Sequence, residues 1–259
     1  MKAEIENIPP SRLADNLFFI GVKGGPCYLL ETSVGLVLID TAYPNCEDMI
    51  AENMRAFGFD MKNIRHIIHT HGHIDHIGST KKIVQVSGAK TYIGQGDEDA
   101  VMGNNRLLYA DELNISFEDY FVPDVILKDN DKLDFGDTEI QFFFTPGHTR
   151  GTLSLFFNVK VDGQNYRAGM FGGAGLNTLQ ADYLNRYNLP FTLRLEYLDS
   201  IERLERENVD FHLGNHLSDN NYYEKIKKMD REHNPFLEEN TYLSFLQAKK
   251  KEIKKLLNI

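Results

Sequence analysis

Thr70-His71-Gly72-His73-Ile74-Asp75-His76 is the stretch on which the reading of this chain turns. Written H-x-H-x-D-H, it sets three imidazoles and a carboxylate within six residues, the donors that Zn²⁺ prefers. In an extended segment, residues two apart point the same way, so His71 and His73 can grip one ion. If the chain then turns into a loop or helix, Asp75 and His76 can face a second ion nearby. Four polar groups clustered past an apolar strand with no ligand between them would be costly to desolvate. A site with a single ion is the more serious competitor.

The surroundings fit that reading. Residues 64–69 form a short apolar run suited to a buried strand, and Ser79 is placed to cap a helix through Val86 that Gly88 closes. Strand, site and helix in that order match the arrangement in which ligands gather at the carboxyl ends of strands. Upstream, residues 17–22, 28–31 and 36–39 read as strands, and 47–57 as a helix stopped by Gly58. Downstream, 114–132 is irregular, and strands at 139–145 and 152–159 flank Pro146-Gly147-His148. Asp162-Gly163 reads as a hairpin tip leading into a strand at 166–171. A helix at 199–207, a strand at 209–213 and mostly helix from Asn220 complete the chain. The terminal helix puts Leu246, Ile253, Leu256 and Leu257 on one face, which suits docking on the body better than lying on a membrane.

Composition excludes several classes. The 259 residues carry 28 Lys+Arg against 38 Asp+Glu, a formal charge of −10. That argues against a general partner for nucleic acid or anionic membranes and leaves a small-molecule substrate open. No apolar run approaches the length of a membrane span. The opening MKAEIENIPP has two acidic residues by position 6 and no apolar core, so a cytoplasmic protein without a signal peptide is expected. Cys27 and Cys46 are too few for a disulfide framework and read as buried thiols. Oligomeric state is not encoded legibly.

With these motifs the chain resembles the metallo-β-lactamase-fold hydrolases over nearly its whole length. The resemblance implies an α/β, four-layer αββα sandwich, one domain over 1–259 with a helical tail at about 235–259. Leu38-Ile39-Asp40-Thr41 is similar to the family's first motif, which puts Asp40 beneath the ligands with Thr70 beside it. Thr145-Pro146-Gly147-His148-Thr149 resembles the third motif and makes His148 a ligand. In Phe211-His212-Leu213-Gly214-Asn215-His216 the resemblance favours His216 over His212. It thus implies two Zn²⁺ per chain (Fe or Mn being alternatives), one on His71, His73 and His148, the other on Asp75, His76 and His216. His66, His69 and His233 are left as structural or surface residues.

One departure narrows the implied activity. Many family members carry a Gly-Asp whose carboxylate bridges the metals, whereas Phe171-Gly172-Gly173-Ala174-Gly175-Leu176-Asn177 has no acidic residue. No Lys-Ser/Thr follows these glycines, so they are not a phosphate loop. The metallo-β-lactamase subclass whose second zinc is held by one Asp and two His lacks the bridge too. It also resembles this chain at Gly88-Ala89-Lys90 and at 131–136. The implied reaction is attack of a metal-bound hydroxide on a carbonyl, foremost in a cyclic amide of the β-lactam kind, with Asp75 orienting it and passing a proton. Intracellular hydrolysis of another ester, lactone or thioester is the alternative, and an oxygenase, redox or nuclease role stands behind both. Asn177 and Tyr183 are the candidate substrate contacts.

Overall fold

In the computed structural model, which describes residues 5–259, the apolar run before the histidines becomes a mid-sheet strand, Ile64–Ile68. The reading of the N-terminus rests partly on residues 1–4, which lie outside the described residues. The first sheet holds β1 (Ser11–Ala14), β2 (Leu17–Phe19), β3 (Tyr28–Thr32), β4 (Gly35–Ile39), β5 (Ile64–Ile68), β6 (Lys90–Gly94) and β7 (Val125–Leu127), side by side in that order. Pairing is antiparallel as far as β4 and parallel from β4 to β7. The second sheet comprises β8 (Lys132–Asp134), β9 (Glu139–Phe144), β10 (Leu153–Val161), β11 (Gln164–Met170) and β12 (Phe211–Leu213), ordered β12-β11-β10-β9-β8. Only β11 and β12 run parallel there.

Side-chain alternation then fixes the layers. Tyr28 and Leu30, Val37 and Ile39, and Ile68 face inward and meet Leu153, Leu155, Phe157 and Val159 of β10 between the sheets. The alternate residues Leu29, Leu38 and Ile67 face out and are covered by α1 (Glu47–Arg55) and α3 (Thr80–Ser87) through Ile50, Met54 and Ile83. Between those helices in sequence lies the short α2 (Ile74–Ile77). The short helices α4 (Glu98–Val101), α5 (Ala110–Leu113) and α6 (Ala181–Arg186) sit in the connections. On the far side, Phe143 and Phe156 pack against Tyr197 and Ile201 of α7 (Leu193–Leu204) and Leu246 and Ile253 of α9 (Thr241–Leu257). The remaining helix, α8 (Tyr222–Lys228), precedes α9. Helix, sheet, sheet, helix is the four-layer order that the sequence implies.

Several boundaries differ from the sequence reading. The strand at 17–22 stops at Phe19, because Val22 leaves the ladder to exchange backbone hydrogen bonds with Gly25. α7 begins at Leu193 rather than at Asp199, since Leu193 and Tyr197 are buried while Arg194 and Glu196 between them dilute the apolar pattern. β12 begins at Phe211, not Val209. Ser79 stands at the helix entrance without capping it; its hydroxyl donates to the Tyr43 carbonyl (2.7 Å) and accepts from the Cys46 N–H (2.9 Å). Gly88 does close α3, at φ +67. Cys27 and Cys46 are buried free thiols. Among the described residues no helix is long and apolar enough to cross a membrane.

Because Leu155 is fully buried between the sheets, Leu155→Ala should lower the unfolding free energy by about 2–5 kcal/mol in denaturant titration. A loss below about 1 kcal/mol would contradict the tight inter-sheet packing.

Candidate metal centre

The site is built on Thr70, the residue that follows β5 and His69. Its N–H and hydroxyl both donate to the Asp40 carboxylate beyond β4, at 2.8 Å each. Its carbonyl accepts the Leu153 N–H at 2.8 Å, and its hydroxyl oxygen accepts from Asn215 Nδ2 at 3.1 Å. One threonine therefore ties the ends of β4, β5, β10 and β12 from both sheets. Asp40 is buried in the left-handed region at φ +60, a conformation few non-glycine residues adopt and one that Asp tolerates. Its Oδ2 also accepts from His76 Nδ1 at 2.8 Å.

Around this knot the candidate ligands fall into two groups. The donor atoms of His71, His73 and His148 all lie within 4.8 Å of one another, and so do those of Asp75, His76 and His216. His71 and His76 bring the groups side by side, with ring centres 4.1 Å apart. Within the first group His71 Nε2 approaches His73 Nδ1 at 3.1 Å. Within the second, Asp75 Oδ2 is 3.5 Å from His76 Nε2 and 3.7 Å from His216 Nε2. The outward nitrogens are engaged. His148 Nδ1 donates to the Gly175 carbonyl (2.7 Å) and His76 Nδ1 to Asp40. His71 Nδ1 lies 3.1 Å from the Thr70 hydroxyl, whose single proton goes to Asp40, so the ring is the donor. His71 and His148 consequently turn an Nε2 lone pair inward, and His76 turns its Nε2 toward Asp75. His76 Nε2 is buried with no hydrogen-bond partner. Imidazoles oriented by outer carboxylate and carbonyl partners, with an orphaned inner nitrogen, are what a divalent ion such as Zn²⁺ requires.

The electrostatics agree. Burial, reinforced by neighbouring imidazoles, pushes His71 and His73 well below the ordinary histidine range, and burial lowers His148 to about 4. These rings are neutral and keep their lone pairs at neutral pH. Burial alone would raise Asp75, but His76, His216 and His73 together hold its carboxyl below the usual range. Burial likewise opposes charge on His76, yet Asp75 and Asp40 outweigh it and raise the ring to about 10.

The other sequence candidates separate. His212 is buried against Tyr242 and Phe245, away from both groups. His69 is buried, bonded to the Tyr92 carbonyl and the Thr80 hydroxyl, and His66 meets the Tyr92 hydroxyl. His233 is exposed. The Gly173 and Gly175 backbones lie against the His148 ring, where added Cβ atoms would fall 2.8 and 3.1 Å from it. Tyr183 lines a small cavity with His73 and His148, whereas Asn177 is exposed beside Gly175.

Two residues escaped the sequence reading. Tyr109 lies against His73 with ring centres 5.3 Å apart and their planes tilted by 40°, and packs on Tyr183. Asp97, buried, accepts from Gly72 N–H (2.8 Å), the Thr149 hydroxyl (2.7 Å) and Gly151 N–H (2.9 Å), so it clamps the loop of His71 and His73 to that of His148. Its partners lie 25, 52 and 54 residues away, and no local pattern announces them.

A model of the metallo-beta-lactamase superfamily matches residues 20–161. Native FEZ-1 metallo-beta-lactamase from Legionella gormanii superposes with a TM-score of 0.87 at 25% identity, covering 98% of this chain and 97% of that one. BJP-1, a subclass B3 metallo-beta-lactamase of Bradyrhizobium japonicum, gives 0.84 at 25% identity over 98% and 95%. An N-acyl homoserine lactonase of Bacillus thuringiensis is 27% identical over 164 residues, 53% of this chain and 59% of that protein. The uncharacterized protein YobT of Bacillus subtilis is 31% identical over 141 residues, with the same coverage of 53% and 59%. The chain spans about half the length of the curated relatives it matches.

Asp97→Ala should leave the buried Gly72 and Gly151 N–H groups without an acceptor and cost about 2–4 kcal/mol. Hydrogen exchange at the Gly72 and Gly151 amides should accelerate in that variant. Unchanged protection at both would show that Asp97 does not hold the two loops together.

Proposed function

The chain belongs to the metallo-beta-lactamase superfamily, and on that basis we propose a dizinc hydrolase that opens a cyclic amide of the β-lactam kind. The observation that carries this is the pair of three-donor groups set side by side, His71 against His76. His71, His73 and His148 would hold one Zn²⁺, and Asp75, His76 and His216 the other. When bound, Zn²⁺ supplies Lewis-acid polarisation of a carbonyl oxygen and a lowered pKa for water.

The chain's own groups do the rest. The neutral His71 and His148 keep their lone pairs directed inward through the Thr70 and Gly175 contacts, and Asp40 orients the His76 ring, whose Nε2 proton a metal ion would displace. Asp75, ionised at neutral pH, can orient the attacking water through hydrogen bonding and accept its proton. Tyr109 and Tyr183 form an aromatic wall beside His73 that seats the apolar part of a substrate and excludes water. One domain is the working unit, because the ligands, on α2 and on loops between positions 71 and 216, depend on both sheets.

The choice of substrate rests on the absent acid at 172–177 and on the likeness to subclass B3 lactamases over nearly the full chain. The relative named as an N-acyl homoserine lactonase favours a second reading, hydrolysis of a lactone or another ester. Zinc-loaded protein should cleave a chromogenic β-lactam with a higher kcat/KM than an acyl homoserine lactone, and chelator should abolish both. The reverse order would install the lactone reading. His71→Ala and His148→Ala should each lose the first zinc and all turnover; full activity with two metals bound in either would defeat the assignment. Asp40→Asn should weaken zinc binding about 10–100-fold in a competition titration, because His76 loses its carboxylate partner.

A further inference from the structure

Outside the two ligand groups, β12, α8 and the start of α9 line a cleft of about 630 Å³. Three deeply buried side chains line it, and the proposed chemistry uses none of them. His212 on β12 is 1% exposed and Lys225 on α8 is 5% exposed; neither imidazole nitrogen nor the lysine Nζ has a hydrogen-bond partner. Asn220 contributes a third orphan, its Oδ1, while its Nδ2 donates to the His212 carbonyl at 3.1 Å.

A buried ammonium with no hydrogen-bonded counter-charge is expensive: burial lowers Lys225 below the ordinary lysine range despite Glu238, and the Phe236 ring 5.4 Å from its Nζ recovers only part of the lost hydration. Water in the cleft could satisfy hydrogen bonds but would leave that charge uncompensated. The acidic groups at the cleft do not pair with it. Glu224 bonds Lys227 at 2.8 Å, Asp219 accepts the His216 N–H at 3.0 Å, and Glu238 acts on Lys225 only through space. Burial and Lys225 depress His212 to about 3, so its ring is neutral and offers one N–H. Thr241 and Ser244 in the first turn of α9 also face the cleft, and no side chain caps that 17-residue helix. Ammonium, imidazole N–H and helix N-terminus all favour an anion. The carboxylates of Glu238 and Glu239 at the same cleft disfavour a dianion, and Phe245 offers an apolar surface.

We propose that this cleft binds a small organic monocarboxylate, whose oxygens take Lys225 Nζ and the His212 N–H while its apolar part lies on Phe245. Butyrate is the probe, titrated into zinc-loaded protein against sodium chloride of equal ionic strength and against inorganic phosphate. The site-specific readout is the His212 ring signal in nitrogen-15 NMR, which a carboxylate bound at the metal centre would not move. The His212 signal should shift saturably with butyrate, and the melting temperature should rise by about 3 °C at tenfold excess over Kd. Lys225→Met, which keeps the buried stem and removes the charge, should abolish both responses. A His212 signal that butyrate leaves unmoved would overturn the proposal, as would an equal shift in Lys225→Met. A stronger response to phosphate would overturn the carboxylate class. Should Lys225→Met not fold, the wild-type His212 titration decides alone.

Discussion

The hydrogen-bonded knot of Thr70 and Asp40 is the constraint on which the rest depends. Parallel pairing within one sheet brings β4 and β5 alongside one another, and Thr70 then commits its N–H, its hydroxyl and its carbonyl to partners from both sheets. Nothing in hydrophobic burial alone, which is non-directional, would specify the relative position of two sheet ends. Directional hydrogen bonds in a dry interior can, because an unpaired buried donor costs more than a made bond returns. The strain of Asp40 at φ +60 persists because three donors hold its carboxylate in place.

From that knot the chemistry of the site follows in short steps. Asp40 and the saturated Thr70 hydroxyl select the tautomers of His76 and His71, and the Gly175 carbonyl selects that of His148. Burial keeps three rings uncharged, while the imidazoles around Asp75 keep its carboxylate ionised against the same burial. One pocket thus holds neutral nitrogen donors next to an anionic oxygen donor. Asp97 acts at one remove, joining the loops that carry those donors.

Much of this is legible in the order of residues. The H-x-H-x-D-H run, the apolar strand ahead of it and the strand read at 152–159 are local patterns, and each corresponds to the element observed. The start of α7 was hidden because Arg194 and Glu196 interrupt the apolar face that Leu193 and Tyr197 define. Ser79 carries a capping residue's identity, but the Tyr43 carbonyl and Cys46 N–H compete successfully for its hydroxyl. Asp97 and Tyr109 could not be read at all. Their partners are distant in sequence, and a lone acid or tyrosine carries no spacing signal.

On the proposed assignment, two metal ions occupy adjacent sites made by six side chains. An anomalous-difference map recorded at the zinc edge from crystals of zinc-loaded protein tests it directly. Two peaks are predicted, one among His71, His73 and His148 and the other among Asp75, His76 and His216. A single peak, or zinc bound elsewhere on the chain with both groups empty, would contradict it.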